Sequence, residues 1–89
     1  MNFFYVYIIK SMIYNQLYIG FTTREVTQRV KDHNQSKVKS TRDYTPWKIV
    51  YFEAYKSEKD ARHRERMLKQ YGNSLGHLKK RITNSIFQK

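Results

Sequence analysis

Phe4-Tyr5-Val6-Tyr7-Ile8-Ile9 and Leu17-Tyr18-Ile19-Gly20-Phe21 are two apolar runs joined by a short polar segment, and their reading decides the fold. Each alternates with a period of two. Phe4, Val6 and Ile8 share one side of the first run, and Leu17, Ile19 and Phe21 share one side of the second, as strands require. Two such runs so close together predict a hairpin. If both all-apolar sides face one core, even positions of the first strand must pair with odd positions of the second. That register sets Tyr7 near Tyr18 on the opposite face, with Gly20 leaving room beside them.

Beyond the hairpin, Thr22-Thr23-Arg24-Glu25 has the hydroxyl-then-acid spacing of a capping box and predicts a helix from there to about Asn34. Its inward stripe is Val26, Arg29, Val30 and His33. Gln35 to Thr45 is polar and basic and reads as a loop with room for one helical turn before Pro46. Trp47 to Tyr55, rich in aromatic and β-branched residues, predicts a third strand. Ser57-Glu58-Lys59-Asp60 caps a second helix running to about Gln70, with Ala61, Glu65 and Leu68 inward and Gly72-Asn73 as its stop. A last helix is expected from about Ser74 to Ile86, with Leu75, Leu78 and Ile82 on one face. The order strand, strand, helix, strand, helix, helix predicts an α+β fold, a three-stranded antiparallel sheet flanked by helices.

At 89 residues, one domain covering 1–89 is expected. Eighteen Lys and Arg against seven Asp and Glu leave a net charge of +11, an excess that points to a polyanionic partner, above all nucleic acid. The chain has no cysteine, which removes disulfides, thiol catalysis and cysteine-based zinc sites. The apolar opening from Phe3 to Ile9 is too short to span a bilayer and has no basic stretch before it, so it reads as a strand, no membrane association is expected, and the protein is expected in the cytoplasm.

Two charges stand out because they lie on inward helix stripes, Arg29 and Glu65. An inward charge must be paired or functional. Taken alone, the two would form a partly buried salt bridge with each other. Together with Tyr7 and Tyr18 on one sheet face they instead make a phosphodiester-cleaving site. Arg29 offers a fork of donors to the non-bridging oxygens of a phosphate. Glu65 can hold one Mg²⁺ (or Mn²⁺), an ion that keeps most of its waters and needs few protein ligands. Tyr7 and Tyr18 can orient an attacking water. His33, one turn beyond Arg29, is either an alternative base or proton relay, or a hydrogen-bonded packing residue. Lys37, Lys39, Arg42, Arg62, Arg64 and Lys69 are the basic residues available to grip phosphates around the site. A binding module that keeps the fold without turnover is the alternative, and Glu65 argues against it, since a carboxylate repels a phosphate unless a cation intervenes.

The ordered set Tyr5-Val6-Tyr7, Tyr18-Ile19-Gly20, Gln28-Arg29-Val30 with His33-Asn34, and Ala61-Arg62-His63-Arg64-Glu65 with Leu68-Lys69 resembles the GIY-YIG nuclease superfamily in its small standalone branch, from Phe4 to about Ile82. The resemblance implies a three-stranded antiparallel sheet flanked by helices and a divalent-cation-dependent single-strand nick. It also implies DNA as the partner and DNA repair or recombination as the setting, and it leaves room for a protein partner or a homodimer. Members include the N-terminal nuclease domain of the excinuclease UvrC. Tyr5 replaces the glycine that opens the first triplet. Phe21 stands where some members carry a lysine, so base activation by that lysine cannot operate here.

Overall fold

A computed structural model describes residues 2–88. Its elements are β1 (Phe4–Ser11), β2 (Leu17–Thr22), α1 (Val26–Asn34), a 3₁₀ turn (Arg42–Tyr44), β3 (Trp47–Tyr55), α2 (Glu58–Gln70), α3 (Gly72–Arg81) and α4 (Thr83–Phe87). The three strands form one antiparallel sheet in the order β2-β1-β3. The hairpin register pairs even with odd, Val6 with Phe21 and Ile8 with Ile19. Tyr7 consequently faces Gly20 while Tyr18 faces Ile9, so the two phenols are diagonal neighbours on one face.

Central β1 is covered on both sides. Val6 and Ile8 join Ile19, Ala61, Leu68 and Leu78 in a core beneath α2 and α3, whereas Tyr7 and Ile9 join Val26, Val30 and Trp47 beneath α1. The alternation of the strand thus feeds two cores, and both of its faces carry apolar side chains because neither meets water. A register shift between Ile8 and Ile9 interrupts the β1–β3 ladder.

Two boundaries differ from the sequence expectation. Thr22 Oγ1 accepts the Arg24 amide at 3.0 Å, closing a local turn, so the hydroxyl is spent before the helix begins and α1 starts at Val26 with Glu25 as its N-cap. The last helix starts earlier and divides: α3 begins at Gly72, one residue after the α2 cap Tyr71, and Ile82 separates it from α4. At the other end of α1, Asn34 clamps the start of β3. Its Oδ1 accepts the Trp47 amide at 2.6 Å and its Nδ2 donates to the Trp47 carbonyl at 2.9 Å. That clamp holds the end of the helix carrying Arg29 and His33 against the sheet. Among the described residues no helix is long and apolar enough to cross a membrane.

Candidate active site

The site grows from Tyr7. On the strand buried from both sides, its ring leans across Gly20 of the edge strand, and its hydroxyl lies 2.7 Å from His33 Nε2. A Cβ at position 20 would stand 2.3 Å from the Tyr7 Cζ and Oη atoms, so only glycine admits the phenol there. His33 sits between the two tyrosines, with ring centroids 5.8 Å from Tyr7 and 5.2 Å from Tyr18, both edge-on. Its other nitrogen, Nδ1, lies 2.7 Å from Thr41 Oγ1. His33 and Thr41 are both fully buried, at 0% exposure. The Trp47 indole donates to the Thr41 carbonyl at 2.9 Å, which fixes the loop carrying that threonine against the sheet.

Burial dominates the electrostatics. It pushes the Tyr7 phenol up to about 12, although the Arg29 guanidinium pulls the other way, and the Tyr18 and Glu65 charges add to the rise. Desolvation outweighs the Arg29 cation, and Tyr7 is a neutral phenol at neutral pH. Burial also depresses His33 to about 4, and the Arg29 cation depresses it further against the opposing pull of Asp32. The imidazole is neutral at neutral pH and able to accept a proton.

The sign of the resulting pH dependence follows from linkage. Because the folded pKa of about 4 lies below the ordinary 6.5, unfolded chains bind more protons between those values. Stability is then full above pH 6.5 and falls by roughly 3 kcal/mol as pH drops towards 4. Urea unfolding from pH 7.5 down to about 4.5 should show this slope in the wild type and lose it in His33→Gln. Equal slopes would show that His33 is not the buried group that titrates.

Arg29 and Glu65 do not pair with each other. Arg29 lies 3.8 Å from Asp32, which also takes Arg24 at 2.8 Å and Lys37 at 4.0 Å. Asp32 steers Arg29 without capturing it, and the guanidinium, one third exposed, still bears on both Tyr7 and His33. Glu65 comes from α2, whose apolar stripe of Ala61 and Leu68 packs on the other side of the sheet. Its carboxylate accepts from Lys69 at 2.9 Å, and the Lys69 ammonium lies 5.7 Å from the centre of the Tyr18 ring, so the contact passes around the β2 edge. Glu65 reaches Tyr7 through its charge. Among the described residues there is no group of three His, Cys, Asp or Glu able to hold a metal. A lone carboxylate, 18% exposed and with one partner, suits an ion that keeps most of its waters and does not suit a two-metal site.

The basic residues divide. Lys37, Lys39 and Arg42 are exposed on the loop that carries Thr41. Arg62 pairs with Glu58 at 2.8 Å and lies 4.0 Å from the centre of the Phe21 ring, leaving its side chain 55% exposed at the β2 edge. Arg64 is a correction. It forks onto Glu53, Nε donating to Oε1 and Nη2 to Oε2, each at 3.0 Å, on the sheet face opposite Tyr7, and so is not available to a phosphate at this site. Burial would raise the Glu53 pKa, but the Arg64 fork and the hydroxyls of Tyr51 and Tyr55 outweigh it and hold the carboxyl below the usual range. The period-two run Tyr51-Glu53-Tyr55 was the sequence signal for this cluster, since it puts one acid and two phenols on one face. Thr41 had no such signal.

A sheet of this order, with helices on both faces and two strand tyrosines beside a helix histidine and arginine, is the arrangement that the resemblance to a nuclease family implies. The family model described as the GIY-YIG catalytic domain matches residues 3–83, and the chain belongs to that family. Within it the chain is similar to small proteins named UPF0213. It is 38% identical over 71 residues to one from Haloquadratum walsbyi, covering 79% of this chain and 78% of the relative. It is 39% identical over 66 residues to one from Clostridium perfringens, covering 73% and 69%. To one from Staphylococcus haemolyticus it is 40% identical over 68 residues, covering 75% and 80%. No solved structure matches it significantly.

Proposed function

We propose that this chain is a metal-dependent endonuclease that hydrolyses one phosphodiester bond of DNA, leaving a single-strand nick, with the cut directed by DNA structure or by a partner. The observation that carries the reading is the buried Tyr7–His33 hydrogen bond of 2.7 Å lying within the field of Arg29 and Glu65. A phenol near pKa 12 is a poor base alone. Bonded to a neutral imidazole, and once bound substrate brings a water against its otherwise enclosed oxygen, it can take a proton from that water as it passes its own to His33 Nε2. The water O–H bond breaks, the Tyr7 O–H is renewed, and the proton rests on His33. Arg29 holds the non-bridging oxygens of the phosphate. Phosphate placed on Arg29 also offsets the cation that depresses His33, so substrate itself makes the imidazole more basic. Tyr18 confines the attacking water from the diagonal position. Mg²⁺ or Mn²⁺ held by Glu65 would supply positive charge to the departing 3′ oxygen.

The phosphate grip is assigned to Lys37, Lys39 and Arg42 on one side and to Arg62 and Lys69 at the β2 edge. The expected result is nicking of branched, flapped or supercoiled DNA with Mg²⁺ or Mn²⁺, abolished by EDTA and restored by excess metal. Cleavage that persists unchanged in EDTA would sink the metal requirement. Absence of cleavage on all three substrates with either ion would sink the nuclease reading.

A further inference from the structure

Five polar groups form one chain of contacts that starts at the tyrosine: the Tyr7 hydroxyl, His33 Nε2 and Nδ1, Thr41 Oγ1 and the Val38 carbonyl. Only one proton arrangement satisfies every donor. If Thr41 donates to the Val38 carbonyl, at 3.4 Å and beside the Thr41 and Arg42 amides that this oxygen also accepts, the threonine oxygen is left to accept from His33 Nδ1–H, and the bare Nε2 accepts from the Tyr7 hydroxyl. If Thr41 instead donates to Nδ1, the imidazole must carry its proton on Nε2 and donate to Tyr7. The Tyr7 hydrogen then has no acceptor among the described residues, on a side chain that is 1% exposed. The Arg29 cation beside the phenol reinforces the first arrangement, since it attracts the oxygen lone pairs and turns the O–H away.

From this accounting we infer that Thr41 is a positioning residue that sets the His33 tautomer. It keeps the proton on Nδ1, so that the nitrogen facing Tyr7 is free to receive one. The tautomer itself does not depend on the nuclease reading, whereas its use in proton transfer rests on that reading. Thr41 stands on the loop that follows α1, outside the strand and helix motifs of the family, and at 0% exposure it touches no substrate. Its contribution is made through the imidazole, as a carboxylate or carbonyl commonly fixes the tautomer of a working histidine.

The experiment is ¹⁵N NMR of the His33 ring in the wild type, Thr41→Ser and Thr41→Val, alongside DNA nicking by each. The wild type is expected to show a protonated Nδ1 and an unprotonated Nε2. Serine keeps the hydroxyl and should keep both the tautomer and the activity. Valine has a similar volume and no acceptor. Without the hydroxyl each tautomer leaves one buried donor unpaired, Nδ1–H in one and the Tyr7 hydroxyl in the other, so the native preference should be lost, the ring should populate both forms, and nicking should fall at least about twofold. A wild-type ring protonated on Nε2 overturns the inference, and that spectrum is decisive even if the valine variant does not fold. A folded valine variant whose ring stays wholly in the Nδ1–H form overturns it too. If the tautomer balance shifts as expected but no protein nicks DNA, the Thr41 assignment stands and the nuclease reading falls.

Discussion

Glu65→Gln is expected to lower the nicking rate by about 10²–10³-fold or more while leaving the fold intact, because the substitution removes the one negative charge available to a cation at the site. Gln keeps the size and one oxygen of the native side chain, so packing between Ala61 and Leu68 is undisturbed. Its pair with Lys69, whose side chain is 44% exposed, is a partly solvated i,i+4 contact, and losing it should cost no more than about 1 kcal/mol. The two measurements therefore separate. Thermal unfolding should barely move, whereas cleavage at saturating Mg²⁺ should collapse. In the absence of metal the Gln variant should also bind DNA more tightly than the wild type, since the carboxylate repels phosphate when no cation intervenes. Arg29→Lys, which keeps the charge and loses the fork, should fall between the wild type and the Gln variant. A Gln variant that nicks at the native rate would remove Glu65 from the site.

Gly20→Ala should damage both stability and activity through one contact. The new methyl would lie 2.3 Å from the Tyr7 Cζ and Oη atoms and 2.9 Å from Cε1. A flexible, exposed side chain would swing aside at little cost, but the Tyr7 ring is enclosed beneath α1 and its hydroxyl is bonded to His33. Moving it overpacks the α1 core, at roughly 1–3 kcal/mol. Losing the His33 bond in a buried setting adds about 1–3 kcal/mol. Gly76→Ala is the contrast, because that position lies within α3 and an added Cβ meets nothing within 4 Å. It should raise stability by up to about 1 kcal/mol through helix propensity alone. Denaturant unfolding of the two variants, with nicking beside it, checks the pair. Equal stability of Gly20→Ala and the wild type would show that the ring has room to move.

Much of the arrangement around Tyr7 was legible before any coordinates. The alternation of β1 and β2 gave the pairing of Val6 with Phe21 and Ile8 with Ile19, and with it the diagonal placement of the phenols. The stripe Val26, Val30, His33 is the buried face of α1, and Gly20 is open because the Tyr7 ring fills its side. The capping-box reading placed the α1 start too early because a threonine hydroxyl can close a turn as readily as cap a helix. The period-two face of β3 shows that Glu53 shares a side with Tyr51 and Tyr55, but not which cation from another element meets it, so nothing local in the chain marks Arg64 as taken.

What the chain by itself determined is which side chains share a face, since periodicity belongs to consecutive residues and the backbone geometry repeats it at every step. What only the folded structure decided is which charge meets which, and where each proton sits. Arg29 pairs with Asp32, Glu65 comes around the β2 edge with Lys69, Arg64 is held by Glu53, and Thr41 reaches His33. These choices depend on distances of a few ångströms between side chains from separate elements, and on burial that converts a small difference in contact into a large difference in protonation. No local pattern in the chain carries those distances.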